Sequence, residues 1–459
     1  MRKPWVYLPS IVVVGFSSLV SEASAAADRV SAAERQFYSN TFAQEFGIVE
    51  RDSKSVCGPS SGSNLRHCHA RVLLSSERPG KPFWFGLTDW RTRILPKHRR
   101  SMDFAFHTGQ RISAPPYTYS DLIAAYDLPK PASQAKPPIV AIVDAYDDPF
   151  VEQDLAIVSQ DQGLPKLPAC NGAVAASRVA CFEKVNQSGK HSSYPAINDN
   201  WALEISLDVQ TVHALCSTCS VLLVEATDNS NPNLMTAIAT AVNAKANVIS
   251  NSWGGPEYQG EDVDEAQLNV PGVAIVASSG DDGFAGDDSP EFPAASQYVT
   301  SVGGTSLYLN SDGSYGLEVA WSGAGSGCSH YIKAPSWQQN SQYAIGCTNR
   351  VGSDIAAEAD PNTGVWIYDS LGYNGQTGGW FAMGGTSLAA PIVAAIYGLA
   401  HDLPASSTGP QFIAEHHNGS TVRDITHGST GGCLTYVCNA RVGYDGPSGW
   451  GTPIGIGGF

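Results

Sequence analysis

The chain has 459 residues, enough for one large domain with appendages or up to three smaller ones. Apolar residues make up 42% and charged residues 15%, with 46 Gly and 28 Pro, which excludes a coiled coil or a disordered chain and fits a loop-rich globular protein. The net charge of −16 is uneven: residues 1–116 hold 16 basic against 9 acidic side chains and the remainder 11 against 34, so the acidic body would repel a phosphate backbone and no nucleic-acid partner is expected.

Residues 1–27 read as an export signal: Arg2 and Lys3, an apolar stretch from Trp5 to Val20, then the small-residue pattern Ala23-Ser24-Ala25. The mature protein is therefore expected to be secreted, free of the membrane and monomeric. Ten cysteines fall in five close pairs, Cys57/Cys68, Cys170/Cys181, Cys216/Cys219, Cys328/Cys347 and Cys433/Cys438, and in an exported chain five local disulfides are the simplest pairing. Cys216 and Cys219 could form a redox or zinc pair, but no second Cys-x-x-Cys accompanies them and a structural bridge is expected.

Residues 28–116 carry the basic cluster Arg91, Arg93, Lys97, Arg99, Arg100 and end in Ser113-Ala-Pro-Pro-Tyr117. Their charge opposes that of the body, as in a pro-segment that docks and is cut away between Arg100 and Tyr117, although an ordinary N-terminal domain fits too. Gly58-Pro-Ser60-Ser-Gly62 matches a hydrolase nucleophile pattern but lacks the strand before it and the helix after it.

Beyond Lys136 short apolar strands alternate with helices. Strands are predicted over Ile139 to Val143, Val221 to Glu225, Val248 to Ser250 and Val273 to Ser278; helices over Trp201 to Leu215, Asn233 to Ala246 and Thr386 to Leu399. The alternation implies a parallel sheet with helices on both faces, whose chemistry belongs beyond the carboxyl ends of the strands.

Three constellations could carry chemistry. Glu204 and Asp208, four apart on one helix, share a face, and two carboxylates that close resist ionising together, which makes a base and proton store in acid; a solvated acidic face is the plainer alternative. Asp281 in Ser279-Gly-Asp281-Asp-Gly283 follows a strand and, protonated, could donate to an oxyanion; otherwise it is a polar turn. Ser387 in Gly385-Thr-Ser387 enters a helix that contains Pro391 near its first turn, and is either a nucleophile beside exposed amides or a simple cap. Gly303-Gly-Thr-Ser306-Leu307 repeats the pentapeptide around Ser387, but no helix follows, so Ser306 is expected to be structural.

Together with Asn251-Ser-Trp-Gly254, these residues resemble the sedolisin family, serine-carboxyl peptidases of subtilisin-like fold, over most of residues 117–459. The resemblance implies an acid endopeptidase acting on protein or peptide substrates, with Ser387 as nucleophile, Glu204 as general base, Asp208 as its partner and Asp281 as oxyanion-hole acid. The C-terminal stretch from Asp424-Ile425 to Arg441-Val-Gly443-Tyr-Asp445 looks like the family's calcium loop, which would assign Ca2+ to the carboxylates of Asp424 and Asp445 and the carbonyls of Ile425, Arg441 and Gly443. Gly384 stands where the family often has Ser, Arg441 where it commonly has Gly, and the N-terminal region is shorter than the family's pro-segment. A subtilisin-type Ser/His/Asp peptidase is the nearest rival through Asp144, but no His-Gly-Thr-His pattern occurs and His213 should point away from Glu204, so Asp144 is expected to be structural or an outer neighbour of the site. A catalytically inactive, calcium-stabilised binding protein on the same fold is the rival from another class.

Overall fold

The computed structural model describes residues 51–58, 64–73, 115–131, 136–172, 174–284, 290–310, 312–339, 347–433 and 435–459, and the backbone of 84–85. The expected export signal, the Ser60 motif and the Arg91 to Arg100 cluster lie outside the described residues.

In chain order the elements used below are β1 (Ser53–Ser55), β2 (His67–Cys68), β3 (Arg71–Leu73), β4 (Trp84–Phe85), α1 (Tyr119–Ala125), β5 (Ile139–Ala145), α2 (Val151–Gln162), β6 (Phe182–Asn186), α3 (Asp199–Leu215), β7 (Ser220–Ala226), α4 (Asn231–Asn243), β8 (Val248–Asn251), β9 (Trp253–Gly254), α5 (Asp262–Leu268), β10 (Ala274–Ser278), β11 (Val299–Leu309), β12 (Tyr315–Ala320), β13 (Cys328–Lys333), β14 (Asn349–Val351), β15 (Ile355–Glu358), β16 (Val365–Asp369), β17 (Gly379–Gly384), α6 (Thr386–Ala400) and α7 (Gly409–His416). The central sheet runs β12-β11-β10-β8-β5-β7-β6, with β15 also on β11. All its pairings are parallel except β11 with β12. Every residue of β5 and β7 is buried, which a strand with alternating side chains reaches only when both sheet faces are covered. This is the parallel sheet with helices on both faces that the alternation of strands and helices implied, in the doubly wound subtilisin-like α/β form that the sedolisin resemblance implied.

Helices α3 and α6 pack against each other over the sheet, and α4 packs on β5 and β7. Asn198 caps α3, its side chain accepting from the amides of Asn200 and Trp201, so the helix starts two residues before the predicted Trp201. Pro391 is the sixth residue of α6 and not in its first turn. Its missing N–H frees the carbonyl of Ser387, which accepts from the Ser252 hydroxyl at 3.4 Å. All five expected disulfides are present.

Residues 51–58 and 64–73, within the expected pro-segment, are woven into the body. β1 pairs with β3, β3 with β17, and β2 with β9, all antiparallel. Val56, Cys68, Ala70, Val72 and Leu73 join the main core.

The body also buries an unusual number of carboxyls. Asp148, Asp154 and Asp369 place oxygens within 4.8 Å of one another, all three buried, a group that could hold a cation. Burial pushes Asp148 up to about 7 and Asp154 up to about 6, and burial followed by the charge of Asp148 drives Asp369 well above the carboxylate range. Burial raises Glu225 to about 9, outweighing Lys184 at 3.4 Å.

These groups bind their protons more tightly folded than unfolded. The stability they give is complete below the ordinary carboxylate pKa of about 4 and is lost as pH rises through about 6 to 9, a tenfold gain in proton affinity on folding being worth about 1.4 kcal/mol. We therefore expect the thermal unfolding midpoint to be highest in mild acid and to fall by several degrees between about pH 5 and pH 9. A calorimetric pH series showing a midpoint that rises across that interval would contradict it.

Candidate active site

Ser387 is the second residue of α6, held there by the preceding Gly385, whose φ of +98° lies where glycine alone is comfortable. A side chain at Gly385 would meet the His69 carbonyl oxygen at 2.0 Å and Asp281 Oδ2 at 2.6 Å, so the glycine serves conformation and close approach together. Gly385 is the N-cap and Ser387 caps nothing; its hydroxyl donates to the Ser252 carbonyl at 3.1 Å.

Behind it, α3 brings Glu204 and Asp208 to one fully buried face, not a solvated one. Asp208 Oδ1 accepts from the Ser252 hydroxyl at 2.9 Å, while Asp208 Oδ2 and both Glu204 oxygens have no hydrogen-bond partner among the described residues. Asp144, at the end of β5, is the third member of this group. It too is fully buried with both oxygens unpartnered, and burial lifts it to about 8. Burial, then the charges of Asp208 and Asp144, push Glu204 far above its usual range, partly offset by the nearby Ser387 hydroxyl; burial and Asp144 do the same to Asp208. Asp144 is thus an outer neighbour of the site. His213 turns away, its Nε2 facing the Pro165 carbonyl at 3.0 Å. Ser306 lies within β11 and donates to Asp360, as its structural reading required.

On the other side of Ser387, Asp281 has an asymmetric carboxyl. Oδ1 accepts from the Thr386 amide at 2.7 Å and the Thr386 hydroxyl at 2.9 Å, whereas Oδ2 is buried and unpartnered. Burial raises the group to about 6, against the opposing pull of His69 and the Thr386 amide. When protonated, Oδ2 carries the proton, since Oδ1 is already occupied as an acceptor.

Sequence reasoning missed what lies in the cleft. The His69 amide donates to the Ser252 carbonyl at 3.1 Å, and the His69 carbonyl accepts from the Ser387 amide at 3.2 Å. β2 pairs with β9 on one side, and β3 pairs with Met383 and Gly384, just before Ser387, on the other. An extended strand thus crosses the nucleophile, with the His69 carbonyl on the Ser387 amide and on the same side of Gly385 as Asp281 Oδ2. Buried Arg66 anchors it upstream, its Nε on Asn231 Oδ1 at 3.1 Å and its guanidinium 5.2 Å from the Tyr258 ring centre. The one sequence signal was Arg66-His-Cys-His-Ala-Arg71 beside a bridged cysteine.

The subtilase family model matches residues 198–427, half of the chain, and includes Glu204, Asp208, Asp281 and Ser387. The chain is 27% identical over 390 residues to kumamolisin of Bacillus sp. (strain MN-32), covering 78% of this chain and 66% of the relative. It is 28% identical over 324 residues to sedolisin of Pseudomonas sp. (strain 101), covering 63% and 53%. The solved structure of Pseudomonas sedolisin, a serine-carboxyl proteinase complexed with two molecules of pseudo-iodotyrostatin, superposes with a TM-score of 0.60 at 27% identity, over 74% of this chain and 96% of that one. The chain belongs to the subtilase family, in its sedolisin branch. It spans between half and two thirds of the length of these curated sedolisin relatives.

Gly385→Ala should lower the free energy of unfolding by at least about 1 kcal/mol and loosen residues 64–73, because a Cβ there meets backbone that cannot yield. Denaturant melts with hydrogen exchange on those residues would read both effects; a variant as stable and as protected as the parent would contradict the close approach.

Proposed function

We propose that this sedolisin-family chain is a secreted, acid-acting serine-carboxyl peptidase that cleaves protein or peptide substrates. The observation that carries the reading is the seat of the His69 carbonyl. A peptide carbonyl accepts from the Ser387 amide on the side of Gly385 where the unpartnered oxygen of Asp281 stands, with the Glu204/Asp208 pair fully buried. Export is supported by five disulfides and by the absence, among the described residues, of any helix long and apolar enough to cross a membrane.

In this reaction the Ser387 hydroxyl turns from the Ser252 carbonyl to Glu204, which takes its proton as Oγ attacks the substrate carbonyl carbon. The proton shared within the pair rests on Asp208 Oδ2, leaving Glu204 the anion. The oxyanion accepts from the Ser387 amide and from protonated Asp281. Glu204 then passes its proton to the leaving amine as the C–N bond breaks, leaving an acyl group on Ser387. Water hydrolyses that ester by the same route in reverse.

Asp281 limits activity at the alkaline side, losing its proton, and so its donation, as pH rises through about 6. Asp281→Asn should retain part of the rate and extend it toward neutral pH, because an amide donates without a proton. A pH profile of kcat/KM with an unmoved alkaline limb would remove Asp281 from that role.

The C-terminal loop fits a hard cation. Asp445 is fully buried, accepts from the Arg441 and Ser448 amides at 2.7 and 2.9 Å, and is held far above its usual range by burial, with the charge of Asp424 adding to the shift. Asp424 in turn accepts from the Gly443 amide at 2.8 Å, tying both carboxyls to one turn. Asp424, Asp445 and the carbonyls of Ile425, Arg441 and Gly443 would hold Ca2+, whose charge would relieve this repulsion and stabilise the fold. Chelation should lower the melting temperature of the parent and leave Asp445→Ala unmoved; equal effects on both, or none on the parent, would count against the site.

Residues 28–116 would act as the pro-segment, since the part from 51 to 73 covers Ser387. Acid incubation of the precursor should shorten it, and Ser387→Ala should stay intact. An intact parent with full activity would contradict this.

A further inference from the structure

We propose that the subsite beside Ser387 selects histidine as the residue preceding the cleaved bond, with Glu291 as the specificity-determining residue. The proposal rests on the peptidase reading above and adds the substrate class of that same site.

His69 contributes the carbonyl that faces Ser387, so its side chain occupies the subsite next to the scissile position, and Ala70 stands on the leaving side. The ring is wholly buried and held at both ends, Nδ1 by the Ser278 hydroxyl at 2.7 Å and Nε2 by Glu291 Oε2 at 2.9 Å. The Ser278 hydroxyl donates to the Asn251 carbonyl at 3.5 Å, which leaves it to accept from Nδ1. Glu291, as a carboxylate, accepts from Nε2. With Ser278 donating to Asn251, both ring nitrogens donate and the ring is the imidazolium, the charge state that Glu291 favours.

The other charged groups around the ring fall into two sets. Burial works against the ring's charge, but Glu291, Asp281 and Asp282 outweigh it and hold His69 above its ordinary pKa. Burial also opposes the Glu291 charge, yet His69, His67 and Arg66 overcome it and draw the carboxyl down to about 2. His67 Nε2 lies 3.5 Å from Glu291 Oε1, but burial lowers its own affinity for a proton. With the strand in place, Glu291 therefore stays an anion through the acid range in which His69 is charged.

Shape agrees with charge. A side chain at Gly254 would come within 2.7 Å of His69 Cε1 and 2.6 Å of Glu291 Oε2, so the strand closes on a flat ring. An aliphatic side chain would forfeit both hydrogen bonds that the ring makes, to the Ser278 hydroxyl and to Glu291 Oε2, a ground for rejection. A lysine would offer a point charge where two separated acceptors wait.

The test uses the acid-incubated full-length protein and peptides built on Arg-His-Ser-X-Ala-Arg, with X as His, Leu, Gln or Lys, comparing kcat/KM at about pH 5, where a free imidazole is charged. His should exceed each of the others by on the order of tenfold or more, and Glu291→Gln should collapse the His to Leu ratio. Ser278→Ala, which removes the other acceptor, provides a second variant should the first fold poorly. Cleavage of all four peptides at similar rates, Lys equal to His, or a His preference unmoved in both variants would overturn the subsite assignment while leaving the peptidase reading standing. If no peptide is cut and the acid-incubated chain also stays whole, the peptidase reading itself falls, and the subsite with it.

Discussion

Glu204, Asp208 and Asp144 are three fully buried carboxyls, and the site depends on the fact that they cannot all ionise there. A charge taken out of water without a partner is too costly to keep, so the group holds protons instead. One proton left on Asp208 makes Glu204 a usable base beside Ser387, a task that histidine would perform near neutrality. Helix α3 makes this arrangement possible because four-residue spacing stacks two carboxyls on one face and the sheet buries that face.

The same constraint reaches the rest of the site. Ser252 is the hinge of the network: its hydroxyl donates to Asp208 and lies 3.4 Å from the Ser387 carbonyl that Pro391 leaves free, while its own carbonyl accepts from the Ser387 hydroxyl and from the His69 amide. One residue thus ties the base pair, the nucleophile and the bound strand together. Asp281 belongs to the same regime, since only a neutral carboxyl can donate to an oxyanion. Carboxyls outside this group, such as Asp148 and Asp369, obey it too, so the conditions that favour the proposed reaction also favour the folded state.

Much of this was legible in the sequence because its cause is local. Strands β5, β7, β8 and β10 announce themselves as short apolar runs, and Glu204 with Asp208 by their spacing. The two Gly-Gly-Thr-Ser-Leu segments could be told apart because only Ser387 is followed by a helical pattern. Three features were not legible. Pro391 lies deeper in α6 than a first-turn proline would, and its effect appears only once Ser252 approaches. Residues 64–73 pair with β9 and β17 across hundreds of positions, and no local pattern encodes that pairing. Glu291 gains its role only when His69, more than two hundred residues earlier, is set against it; on its own it reads as one acid among many.

The central claim is that Ser387 becomes a nucleophile through Glu204. It is tested most directly by mass spectrometry of the acid-quenched protein during turnover of a slowly deacylated peptide ester at about pH 5, below the pH of about 6 through which Asp281 loses its proton. The parent should carry the acyl group on Ser387, with Glu204→Gln showing far slower acylation at the same residue and Ser387→Ala showing none. Acylation of Glu204→Gln at the parental rate, or an acyl group on any residue other than Ser387, would contradict it.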